Sequence, residues 1–120
     1  MDVLLPDLLK AERIHRQVDT LNHMAWNLIY EQGAHSERAM QLLLEARELA
    51  LHCGYEWGLA ASYRAETLVR VFRTEYPEAL EILWQALSIS KKLGDVKGEA
   101  YCMAGYGMVY GNTGEGGGGR

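Results

Sequence analysis

The residues best suited to reactive chemistry are four histidines and two cysteines: His15, His23, His35, His52, Cys53 and Cys102. A zinc site or a histidine-activated nucleophile needs several such groups to converge, for example two histidines one helical turn apart or closely spaced cysteine pairs. No two of these histidines stand at i and i+4, and no H-E-x-x-H string occurs. His52 and Cys53 are adjacent, and adjacent residues on a helix point in different directions. Gly105-Tyr106-Gly107 and the glycines of the tail follow no strand pattern, so they do not form a phosphate loop; close helix packing accounts better for Gly105 and Gly107. Nothing resembles a Ser-His-Asp or paired-carboxylate arrangement. The sequence thus predicts no catalytic residue, no metal and no cofactor, and points away from an enzyme.

Composition narrows the partners. Sixteen acidic against twelve basic residues leave a formal charge of -4, and the arginines and lysines are scattered, with only Lys91-Lys92 adjacent. Nucleic-acid binding needs a concentrated basic face, so no such partner is expected. No apolar run reaches the ~20 residues that span a bilayer. The longest uncharged stretch, 100–114, is broken by Gly105, Gly107 and Gly111. Met1-Asp2-Val3-Leu4-Leu5-Pro6 has no basic leader, and two cysteines do not make a disulfide framework. The expectation is a cytoplasmic chain with reduced thiols and no membrane segment.

These residues must be carried by helices, and the helices repeat. Residues 20–59 laid over 60–99 match at one offset of 40: Ala39 on Ala79, Leu42 and Leu43 on Ile82 and Leu83, Ala46 on Ala86, Leu49 on Ile89, Gly54 on Gly94, Gly58 on Gly98. A third register opens at Ala100, with Tyr110 answering Tyr30. Each unit reads as helix A then helix B. In the first, helix A covers about 20–32, Gly33-Ala34-His35 breaks it, and helix B covers about 36–53 with Ser36 as N-cap. In the second, helix A covers about 57–73 and helix B about 77–93, with Pro77 at its start. Gly54 and Gly94 are placed to end the two helices B in the left-handed conformation. The paired alanines allow close helix approach, so that each unit buries its apolar face against its neighbour. A generic bundle shares the amphipathic helices but not glycines and alanines at one fixed offset.

The pattern resembles tetratricopeptide repeats. Met103, Tyr106, Gly107, Tyr110 and Gly114 stand at the W-x2-L-G-x2-Y spacing and its turn glycine; the second unit supplies Tyr76, Ala79, Leu83 and Ala86 at helix B positions; the first supplies Trp26 and Tyr30 on helix A and Ala39 and Ala46 on helix B. Two departures stand out. The period is longer than the usual ~34 residues, and Glu66, Thr67 and Arg70 replace an apolar residue, Gly and Tyr. The resemblance implies an all-α fold of antiparallel helix pairs stacked as a right-handed superhelix. It also implies a protein- or peptide-binding scaffold, similar to the long-repeat regulatory regions of bacterial signalling proteins. Carried over by position, the concave groove formed by the helices A is expected to present Leu21, Met24, Leu28, Arg64, Leu68, Phe72, Tyr101 and Met108, with Arg64 exposed as the polar contact. Chaperone-type carboxylate clamps need Lys and Asn where Met24, Leu28, Arg64 and Leu68 stand, which excludes that specificity.

At the ends the register changes. Residues 1–19 read as a capping helix, amphipathic from Asp7 to Gln17. Residues 100–115 read as helix A of an incomplete third unit, and 116–120, Gly-Gly-Gly-Gly-Arg, as a linker or truncation tail of a longer protein, since glycines cost a helix ~1 kcal/mol each. Such a chain is expected to leave Tyr101, Met103, Tyr106, Met108, Val109 and Tyr110 short of cover and to self-associate through its terminal helices. The alternative function is a structural oligomerisation segment without a separate ligand.

Overall fold

The structure, a computed structural model, describes residues 4–113; the expectations for 114–120 lie outside these residues. It is all-helical: α1 Leu4–Gln32, a 3-10 turn Gly33–His35, α2 Glu37–Cys53, α3 Glu56–Phe72, α4 Tyr76–Leu93 and α5 Val96–Thr113. Among the described residues no helix is long and apolar enough to cross a membrane.

The caps act as their residue types dictate. The Ser36 hydroxyl accepts from the Ala39 amide at 3.0 Å and starts α2. Gly54 (φ 73°) and Gly94 (φ 69°) end α2 and α4 in the left-handed region, open to L-residues only at a cost. Pro77 lies in the first turn of α4, and the Asp95 carboxylate caps α5 by accepting from the Gly98 amide at 3.0 Å.

One expected helix boundary is absent. The separate N-terminal helix over 1–19 and the helix A over 20–32 form one continuous α1. No Gly or Pro interrupts residues 7–32, so backbone propensity carries the helix through the point where the repeat register begins. The register edges at 60 and 100 fall inside α3 and α5; α3 starts at Glu56, close to the expected 57, and the helices break at Gly54 and Gly94 as expected.

The 40-residue register orders the core. Equivalent positions of α1, α3 and α5 are buried together: Asn22, Ser62 and Cys102; Ile29, Val69 and Val109. Ala39 and Ala79, and Ala46 and Ala86, are fully buried on α2 and α4. Consecutive helices A are also joined by polar contacts. Asn22 Nδ2 donates to the Gly58 carbonyl at 3.0 Å, and Ser62 Oγ donates to Asn22 Oδ1 at 2.7 Å, both buried. These bonds satisfy polar groups that would otherwise cost ~1–3 kcal/mol each. Gly58 permits the approach, because a Cβ there would lie 2.5 Å from Val18 Cγ1 and 2.6 Å from the Tyr55 ring.

Beside this contact His15 stacks on Tyr55 with ring centroids 4.0 Å apart, and the Tyr55 hydroxyl donates to Asp19 at 2.9 Å. Burial, helped by that carboxylate, pushes the Tyr55 phenol up to about 12. α1 continues beyond the packed body, and its residues 5–10, 12 and 13 are exposed.

Two outcomes follow from this junction. Gly58→Ala should destabilise the fold by ~1–3 kcal/mol in urea denaturation, because Val18 and Tyr55 must shift. The raised Tyr55 value means the folded chain holds a proton that the unfolded chain has lost. Its contribution is therefore full below pH 10 and disappears as pH rises from 10 through about 12. Alkaline melts of wild type and Tyr55→Phe should differ below that window and converge above it.

Candidate functional site

One position pair shows how the repeat is varied. On α1, Trp26 stacks on Tyr30 (5.7 Å between centroids), and on α5, Tyr106 stacks on Tyr110 (6.4 Å). Their equivalents on α3 are Glu66 and Arg70, which form an i,i+4 ion pair at 3.0 Å. Glu66 is 4% exposed and also accepts from Arg47 of α2, while Arg70 reaches Glu75 at 2.9 Å. Arg47 lies 4.7 Å over the Tyr63 ring. Burial pulls the Arg47 guanidinium below its ordinary value, and the Arg70 charge adds to the effect. The counterpart of Arg47 on α4 is Leu87, which packs with Tyr106. An apolar Leu–Tyr–Tyr group in one unit is thus an Arg–Glu–Arg group in the other. The second group is structural; its charges are spent on one another.

The candidate site lies alongside, in a cleft of about 190 Å³ between α1, α3 and α5. Trp26 and Tyr30 come from α1, Arg64, Thr67, Leu68 and Val71 from α3, Leu83 from α4, and Tyr101, Ala104, Gly105 and Met108 from α5. Helix geometry explains the grouping, since residues three and four apart share a face: 64, 68 and 71 on α3, and 101, 104 and 108 on α5. The Thr67 hydroxyl is already given to the Tyr63 carbonyl at 2.8 Å, which leaves the wall apolar around one cation. Ligand cavities for drug-sized molecules run to ~300–1,000 Å³. This cleft is smaller and matches one or two inserted side chains.

Four of the eight residues expected in a groove meet here: Arg64, Leu68, Tyr101 and Met108. The other four do not line the cleft. Leu21 and Leu28 are half-buried against the core, and Met24 and Phe72 are exposed outside it. Arg64 is not the freely exposed residue expected. Its side chain is 19% exposed, and its Nη1 is buried 3.9 Å from Asp95, without a hydrogen-bond acceptor. Trp26, Tyr30 and Leu83 were missed as wall residues. The aromatic pair repeated at Tyr106 and Tyr110 was the available signal for the first two.

The sequence's reactive groups do not converge on this cleft. Cys102 is buried, and burial pushes its thiol up. Cys53 is half-buried and donates to the Ala50 carbonyl at 3.9 Å. Among the described residues no three His, Cys, Asp or Glu side chains are grouped to hold a metal ion. Comparison with protein-family models, with characterised proteins and with solved structures finds no match.

The Arg47–Glu66–Arg70 group yields a prediction. Glu66→Ala should cost roughly 2–4 kcal/mol, since it leaves two half-buried guanidinium groups without their shared carboxylate. The triple change Arg47→Leu, Glu66→Tyr, Arg70→Tyr copies Leu87, Tyr106 and Tyr110, and should return stability to within about 1 kcal/mol of wild type or above it. Chemical denaturation of both variants checks this.

Proposed function

We propose that this chain is a tetratricopeptide-like scaffold that binds a helix or extended peptide, and that the cleft is where the partner's anchoring side chains insert. The observation that carries the reading is the lining itself: an apolar floor with aromatic sides, and a single arginine with no hydrogen bond to any described residue. Apolar and aromatic anchors in small pockets supply most of the energy in helix and peptide recognition. Arg64 gives the site a sign. A partner carrying a carboxylate beside its apolar anchor gains a charge-assisted hydrogen bond that an uncharged peptide lacks. In this reading the protein acts by holding a partner and performs no catalysis. The repeat register, the buried alanine pairs and the left-handed glycine caps support the tetratricopeptide-like assignment, and a regulatory part of a larger protein is the setting such a scaffold suits.

Helical peptides selected from a displayed library against the wild-type chain provide the test. They should be rich in apolar residues near an acidic one. Their affinity should fall about tenfold or more on Arg64→Glu, equivalent to ~1.4 kcal/mol, and at least as much on Leu68→Asp, with circular dichroism showing both variants folded. Unchanged affinity for both would move the site elsewhere.

A further inference from the structure

Two departures from the repeat meet behind the cleft. Arg64 stands on α3 where α1 has Met24 and α5 has Ala104, and Asp95 stands before α5 where Tyr55 stands before α3. None of these counterparts is charged, yet the fold brings the two charges together. Asp95 Oδ2 lies 3.9 Å from Arg64 Nη1, and the side chains are 19% exposed for Arg64 and 14% for Asp95.

Asp95 is held in place by α5 itself. Its Oδ1 accepts from the Gly98 amide at 3.0 Å. Its Oδ2 rests against Gly98, where a Cβ would lie only 2.3 Å away. The carboxylate thus stands about 1 Å too far from Arg64 for a charge-assisted hydrogen bond. Arg64 Nη1 is buried and has no acceptor. The arginine lines the cleft, and Asp95 is not among the lining residues.

The pair is therefore an attraction without a bond. Charges so little exposed are weakly screened by salt. At this range the Asp95 carboxylate cancels part of the field that Arg64 projects into the cleft, and it repels a second carboxylate drawn to the same arginine. An orienting role would need a hydrogen bond to fix the guanidinium plane, and 3.9 Å is too long for one.

We propose that Asp95 is a specificity-determining residue of the cleft, a fixed internal competitor that lowers the affinity of Arg64 for acidic groups. A partner's carboxylate then binds only where an apolar anchor accompanies it. This inference rests on the cleft being the partner site.

Asp95→Asn tests it, because asparagine caps a helix as well as aspartate does and carries no charge. Titration calorimetry on the full chain compares a library-selected peptide carrying a glutamate with the same peptide carrying glutamine there. Asp95→Asn should tighten the glutamate peptide about fivefold or more. The glutamine peptide should stay within about twofold, and the gain should vanish in an Arg64→Gln background. Asp95→Ser, another uncharged cap, repeats the test if the asparagine variant folds poorly. Unchanged or weaker binding of the glutamate peptide would overturn the proposal, as would an equal gain for both peptides. If Arg64→Glu and Leu68→Asp weaken binding while Asp95→Asn changes nothing, the competitor role alone fails. If neither of those two variants weakens binding, the cleft reading fails and this inference with it.

Discussion

Everything in this fold depends on the close approach of α3 to the helices around it. α3 touches α1 and α2 on one side and α4 and α5 on the other, so nearly its whole circumference is packed. Small or matched residues must therefore stand wherever an axis comes near: Gly58, Ala60, Ser62 and Ala65 on α3, Ala39 and Ala46 on α2, and Ala79 and Ala86 on α4. A methyl group too many at one of these places would separate two helices and loosen a third. The spacing of small residues is thus the element of the sequence with least freedom, and it shows most plainly as a repeat.

The polar interior follows from the same crowding. Where consecutive helices A approach, Asn22, Ser62 and the Gly58 carbonyl satisfy each other in a space too tight for larger side chains. Where α2 meets α3, Arg47, Glu66 and Arg70 occupy room that aromatic rings fill in the neighbouring units. Desolvating such an ion group offsets most of its Coulombic gain. Arg64, 3.9 Å from Asp95, is the cation in the cleft wall.

Much of this was legible in the sequence, and the misses have physical causes. Glycine and alanine carry the register because their roles, left-handed caps and close contacts, tolerate little substitution; Gly54, Gly94, Ala46 and Ala86 stand where they were expected. The Arg47–Glu66 contact was invisible because it joins two helices, and periodicity reports only one helix at a time. Glu66 and Arg70 looked like failures of the pattern when they are its substitutes. No helix break marks residue 19, because the repeat register begins there while the helix does not. Leu21, Met24, Leu28 and Phe72 lie outside the cleft, because carrying positions over from a family fixes a helix face but not how far neighbouring units rotate. Leu21 and Leu28 turn inward, Met24 and Phe72 turn out, and Trp26 closes the cleft in their place.

The central claim is that one helix, α3, is held on all sides while α5 is held on one. Native-state hydrogen exchange with residue resolution tests it most directly. In dilute protein the interior amides of α3 should exchange only through global unfolding, and those of α5 through a smaller opening. Equal protection of α3 and α5 in dilute monomer, or an α3 that opens before its neighbours, would contradict the account.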